Sequence, residues 1–234
     1  MNKYEELFNK DQFILIVSLP GHGVDWAQAA QDNGADAIKV HTSVKHPASG
    51  VQFGSLDEEA KKFEEMRQVL TIPFGVVPGV GVNLGFEEIS KMADLGFDFF
   101  DAFISEITPL ILTEKRLAPM FCILPDHTVD QAVYASNLPR VVCMEADIVR
   151  HDGYGKRASI EDIVGYKMLT DALAKPLVVP TQRNLLPEEV PLLADVGVKA
   201  LMIGAVVTGM TVKGVAETTK KFREVIDKIN RIPE

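Results

Sequence analysis

Eight short apolar runs recur along this chain, beginning near Phe13, Ala37, Pro73, Phe97, Met120, Val141, Pro176 and Ala200. Successive starts lie about 21 to 24 residues apart, with two wider steps of about 35, the spacing of strands separated by helices. Stretches of helical periodicity or polar loop fill the intervals. Short β-branched runs alternating with helices imply parallel strands joined by crossovers. Eight such units in 234 residues predict an α/β fold of the (β/α)8, or TIM, barrel class, as one domain over 1–234. Three helix-to-strand joints look alike, DNGADAIKV, DLGFDFFDA and DVGVKALMI, each with a glycine where a helix would end left-handed. That internal repetition strengthens the reading.

The predicted strands cover 13–18, 37–40, 73–79, 97–103, 120–125, 140–145, 176–180 and 200–204. Helices are expected from Val24, over 56–69, over 86–96, after the Asp126-His127-Thr128 cap, from the Ser159 capping pattern to about Ala174, and over 212–231. The stretch 104–119 holds at most a short helix. Two long polar loops, 41–55 and 145–159, follow strands at the expected catalytic rim; on a compact barrel such loops are usually lids or binding loops.

Composition narrows the partners. The formal net charge is −9, with no basic cluster, which argues against nucleic acid and anionic membrane. No apolar segment approaches the roughly 18 residues needed to span a bilayer. The polar N-terminus lacks the pattern of a cleavable signal, which predicts a cytoplasmic protein. Cys122 and Cys143 fall inside predicted strands and read as buried, reduced thiols. Homo-oligomerisation is allowed by the sequence but not specified by it.

In a barrel, chemistry gathers at the C-terminal ends of the strands, and the loops after the seventh and eighth often bind phosphate. Here those loops read TQRN and GAVVTG. Gly204 allows close backbone approach, and 205–208 fits a short helix whose first amides would face an anion. Gln182, Arg183 and Asn184 offer further donors. The expected ligand is a small phosphorylated metabolite held by Gln182, Arg183, Asn184, Gly204 and Ala205. Lys39 ends a short buried strand, where a lysine needs a partner or a task. His41 shares its face if the strand continues. Asp101 and Glu145, at two further strand ends, are the candidate carboxylates for proton transfer beside a carbonyl. Lys39 is expected to titrate below the usual lysine value of about 10.4 through desolvation, with a nearby carboxylate pulling the other way. The glycines of Pro78-Gly79-Val80-Gly81 could cradle a substrate or form a tight turn.

The segment from Pro176 to Thr211 resembles the corresponding part of the ribulose-phosphate-binding barrels, and most nearly the N-acetylmannosamine-6-phosphate 2-epimerases. Arg183, Asn184, Pro187, Gly197, Gly204 and Thr208 carry the likeness. Ser18, Lys39 and Asp126 also match that pattern. The resemblance implies the barrel, a phosphorylated ligand, and substrate contacts from Ser18 and Asp126. It does not carry the epimerase mechanism, because that family places a lysine on the third strand and a glutamate on the seventh. Here those strands read GVVPGVG and VVPT.

Three functions stay open at this point. The first is an isomerase or epimerase of a phosphorylated sugar acting by proton transfer, and the second a lyase or aldolase with Lys39 as a Schiff base. The third is a barrel that only binds a phosphorylated metabolite. His41, His127 and the carboxylates make no recognisable metal spacing, so neither a metal nor a cofactor is expected, though Mg2+ bridging carboxylate and phosphate oxygens stays open. No nucleophile elbow, Walker loop or dinucleotide fingerprint is present.

Overall fold

The computed structural model describes residues 2–79 and 85–231. Eight parallel strands close into a barrel in chain order: β1 (Ile14–Ser18), β2 (Ala37–His41), β3 (Phe74–Val77), β4 (Phe99–Phe103), β5 (Ala118–Ile123), β6 (Cys143–Ala146), β7 (Leu177–Pro180) and β8 (Ala200–Ile203). The last strand pairs with the first through the Ile14–Ala200 to Val17–Ile203 register. The strands are buried on both faces, which explains their continuous apolar runs.

The helical shell comprises α2 (Val24–Gln31), α3 (Leu56–Val69), α4 (Phe86–Asp94), α5 (Val129–Ser136), α6 (Ile160–Ala172), α7 (Val190–Asp195) and α9 (Val212–Ile229). A short α8 (Ala205–Thr208) leaves β8, as expected. A 3-10 turn, Pro109–Thr113, is all the helix in 104–119. Val215, Thr219, Phe222 and Ile226 form the buried stripe of α9. Thr128, rather than Asp126, caps α5, accepting from the Gln131 amide.

Two cores result. One lies between strands and helices; the other fills the barrel interior. The interior is sealed from below by α1 (Lys3–Phe8), which the sequence reading missed. Asn2 and Glu5 form its capping box, and Tyr4, Leu7 and Phe8 point inward at helical spacing. The Tyr4 ring stacks on Phe99 at 3.8 Å. Its hydroxyl meets Met120 Sδ at 3.3 Å and Cys143 Sγ at 3.2 Å.

β6 begins three residues later than the predicted strand. Arg140 has φ +71°, a turn conformation, and its guanidinium donates to the carbonyls of Leu112, Glu114 and Leu117. Val80 and Gly81 of the proposed glycine cradle lie outside the described residues.

Candidate active site

Strand alternation sets the site. Along β2, β4, β5 and β6 the inward positions pass from Ala37, Phe99, Met120 and Cys143 to Lys39, Asp101, Cys122 and Glu145 two residues later. Each strand thus changes from apolar filling to polar chemistry within one layer. The four polar side chains meet at the bottom of a cavity of about 780 Å3 that opens at the C-terminal rim.

The Lys39 ammonium donates to Asp101 Oδ2 at 2.5 Å and to Glu145 Oε2 at 3.5 Å. The Cys122 thiol lies 2.9 Å from Asp101 Oδ1 and 3.1 Å from Glu145 Oε2. All four residues are buried, Asp101 completely. One lysine cannot hold two adjacent carboxylates ionised in a dry site, so their environments split them. Burial raises the Glu145 carboxyl well above the usual range, and the Asp101 charge adds to the rise. Burial would raise Asp101 too, but the ammonium of Lys39 and hydrogen bonds from Glu145 and Cys122 bring it below its usual value. Burial also pushes the Cys122 thiol well up. The surroundings thus hold Lys39 charged and press the two carboxyl groups apart, Asp101 toward the carboxylate and Glu145 toward the neutral acid.

For Lys39 this corrects the expected depression. Desolvation does pull its ammonium down, but Asp101 and then Glu145 outweigh it and hold the group above its ordinary value. The same geometry bears on metal binding. One oxygen each from Asp101 and Glu145 and the Cys122 sulfur lie within 4.8 Å of one another, a spacing that could hold an ion. The Lys39 ammonium already sits against both carboxylates, where a cation would go.

His41 lies above Lys39 on the same face and lines the cavity. Its Nδ1 is buried without a partner among the described residues. Its ring lies 4.4 Å from His46 and stacks with Phe53, which also stacks on His22. Burial, then His46, Lys39 and His22, keep His41 neutral, with its pKa well below the ordinary value. Burial and Lys39 bring His46 down to about 4. These rings root an arm over 42–55 that folds back on itself through Phe53 N to Val44 O and His46 N to Val51 O.

The second long loop is tied down. The Gln182 amide accepts from Val149 N and donates to Val149 O, Tyr154 Oη and Asp147. Tyr154 in turn donates to Asp147 at 3.2 Å. Burial raises the Asp147 carboxyl. Gln182 therefore lines the cavity, but its amide is committed to the loop.

Two expected phosphate donors lie off the cavity wall. Arg183 turns outward, donating Nε and Nη2 to Asp162 Oδ1 at 3.1 and 2.9 Å and Nη1 to Gly153 O at 3.0 Å. Asn184 is exposed, and its backbone braces Lys156 and Arg157. Asp126 is also exposed and pairs with Arg150 at 2.6 Å, so it reaches the rim only through that arginine. Each belongs to a loop, where no alternation fixes side-chain direction.

Gly204, Ala205 and Ser18 do line the cavity. Gly204 N donates to Thr181 Oγ1 at 2.9 Å. The amides of Ala205 and Val206, in the first turn of α8, have no acceptor within their helix. A Cβ on Gly204 would meet Ser18 only at 3.6 Å, so alanine fits there. Sequence reasoning placed Lys39, His41, Asp101 and Glu145 here but missed the parts played by Cys122, Asp147 and Tyr154. Cys122 was legible from its offset, two residues past inward-facing Met120.

No protein-family model matches the sequence, and no curated protein matches it. Solved structures do. A mutant form of tryptophan synthase from M. tuberculosis aligns with a TM-score of 0.71 at 12% identity, over 97% of this chain and 99% of that one. The thiamine phosphate pyrophosphorylase from Pyrococcus furiosus aligns at 0.66 and 13%, over 93% and 96%. The (S)-3-O-geranylgeranylglyceryl phosphate synthase from Thermoplasma acidophilum, in complex with sn-glycerol-1-phosphate, aligns at 0.65 and 14%, over 97% and 99%. At these identities the likenesses establish the fold, a closed barrel of eight parallel strands, and nothing finer.

Proposed function

We propose that this barrel is an isomerase- or epimerase-like enzyme that moves a proton beside the carbonyl of a small phosphorylated compound. The observation that carries the reading is the Lys39–Asp101–Glu145 cluster at the bottom of the cavity, whose surroundings push its two carboxyl groups in opposite directions. Such a split assigns a base and an acid. Asp101 takes the proton from the carbon beside the carbonyl, and the electron pair passes to the carbonyl oxygen. Lys39 faces the developing oxyanion, and Glu145 gives that oxygen its proton. Asp101 then returns its proton to the neighbouring carbon while Glu145 recovers one from the other oxygen, which restores both carboxyl groups and releases the isomer. Epimerisation requires the intermediate to turn over in the cavity before Asp101 returns the proton.

The phosphate would rest against Gly204, Ala205 and Ser18, where the first amides of α8 and the Ser18 hydroxyl offer donors. The aligned barrels whose names include a phosphate compound agree with this ligand class. The charged state of Lys39 favours the electrostatic role over the Schiff base, which needs a neutral amine.

The test is incubation in D2O with a panel of phosphorylated ketoses, beginning with ribulose 5-phosphate, with proton NMR of the carbon beside the carbonyl. Deuterium incorporation that is lost in Lys39→Met and Asp101→Asn is the expected result. Inorganic phosphate binding without exchange in any member of the panel would leave the non-catalytic barrel as the better reading.

A further inference from the structure

The cavity is asymmetric across the barrel axis. In a closed eight-stranded barrel each strand faces the one four places on, so β4 stands opposite β8, β3 opposite β7 and β5 opposite β1. The β7–β8–β1 side presents Ser18, Thr181, Gln182 and Gly204 beside Pro180 and Met202. The facing wall is built from Val77 at the end of β3, Phe103 at the end of β4, Leu124 and Pro125 after β5, and Val44 and Pro47 of the 42–55 arm. Lys45, His46 and Glu106 are the polar groups at the edge of that wall. A partly exposed phenyl ring at a strand end beside a catalytic aspartate two residues earlier is an unusual choice if the ligand were polar throughout. The volume, about 780 Å3, also lies in the upper part of the range for pockets that enclose drug-sized ligands, roughly 300 to 1,000 Å3.

We infer that the wall of Val77, Phe103, Leu124 and Pro125 is a second subsite, for an alkyl or aryl group carried by the substrate opposite its phosphate. The inference rests on the proposed phosphate position and narrows the substrate class to a phosphorylated carbonyl compound that carries an apolar end. The reacting carbon then lies over Lys39, Asp101 and Glu145, between the two ends.

Calorimetry on the intact protein with inorganic phosphate, methyl, butyl, hexyl and phenyl phosphate, and 1-hexanol tests this directly. Affinity should rise with chain length, by up to about fourfold for each fully buried methylene. Phe103→Ser should remove most of that gain and leave inorganic phosphate within about twofold; Leu124→Ser repeats the test should the first variant fold poorly. Equal affinity for inorganic, butyl and hexyl phosphate would overturn the apolar subsite while keeping the phosphate reading. Length-dependent binding of the alkyl chains with hexanol as good as hexyl phosphate, and no inorganic phosphate binding, would support the subsite and overturn the phosphate position. No binding by any probe would overturn both.

Discussion

The two ends of the barrel interior are made from the same strands, yet they differ in almost every physical respect. At the lower end Tyr4, Phe99, Met120 and Cys143 fill the space, and the Tyr4 hydroxyl contacts sulfur. One layer higher, Lys39, Asp101, Cys122 and Glu145 surround open volume. The plug is a source of stability. The cluster carries a desolvation cost that only mutual pairing offsets, which is how sites with shifted protonation states are built. Dividing the axis this way lets the fold carry a costly arrangement without spreading it through the core.

The largest effect should come from breaking the upper layer. Lys39→Met leaves an Asp101 anion buried without its ammonium, and removal of one partner of a buried pair costs about 3–5 kcal/mol. Hydrogen exchange into substrate should vanish, while inorganic phosphate affinity stays within about tenfold, roughly 1.4 kcal/mol. Denaturant melts and calorimetry check both arms; full exchange activity would remove Lys39 from the mechanism.

The mirror experiment breaks the lower layer. Tyr4→Ala opens a cavity beside Phe99 and should cost about 3–5 kcal/mol, as large aromatic truncations do. Its effect on phosphate affinity at a temperature where it stays folded should be small. A loss of phosphate affinity of about tenfold or more, roughly 1.4 kcal/mol, would show that the two layers are not separable.

Within the upper layer the two carboxyl groups should differ. Burial and the Asp101 charge press Glu145 toward its neutral form, which Glu145→Gln copies in shape and charge. This variant should match wild-type stability to within about 1 kcal/mol near pH 4, within the range of a single hydrogen bond, while abolishing exchange. The sign with pH follows from the raised folded pKa. That group favours the fold below its unfolded value of about 4.3 and loses its contribution as pH rises toward the folded value. The glutamine variant should therefore gain on wild type as pH rises from about 4.3, by up to about 1.4 kcal/mol per pH unit. Asp101→Asn should behave oppositely, because the lowered pKa of Asp101 favours the fold above about 3.9 and that contribution is lost in acid. Urea melts across that range decide it; parallel curves for wild type and Glu145→Gln would mean that Glu145 is ionised.

The smallest effect concerns the arm over 42–55. His41 and His46 are neutral in the fold, with pKa values below the unfolded 6.5, for His46 about 4. Their depressed values favour the folded arm above about pH 6.5, and the contribution falls as pH drops toward 4. The other groups that face them are Lys39 and His22, and behind His22 lie Glu59 and Lys62. Proteolytic cleavage of the arm should accelerate over that window in wild type and change less in His46→Gln. An identical pH profile in both proteins would remove His46 from the effect.

Much of this layout was legible because strands have a period. The repeat spacing placed eight strands, and position at a strand end marked Lys39, His41, Asp101 and Glu145. Cys122 obeyed the same alternation but was read as core, since a cysteine in a strand usually is core. The N-terminal helix was hidden by its polar exterior, although Asn2, Glu5 and the Tyr4–Leu7–Phe8 spacing encode it. Arg183, Asn184 and Asp126 could not be aimed from sequence, since each belongs to a loop and Arg183 and Asp126 are turned by partners distant in the chain, Asp162 and Arg150. Lys39 was placed correctly but given the wrong direction of shift, because the net result depends on distances that only the closed barrel fixes.

The proposed mechanism needs one carboxyl group of this cluster to rest neutral beside an ionised partner. Infrared difference spectroscopy of wild type against Glu145→Gln at pH 7 in D2O measures it most directly. The account predicts the C=O stretch of a protonated, buried carboxylic acid in wild type that is absent from the variant and persists well above the ordinary carboxylate range. A difference spectrum showing only carboxylate bands at pH 7 would contradict it.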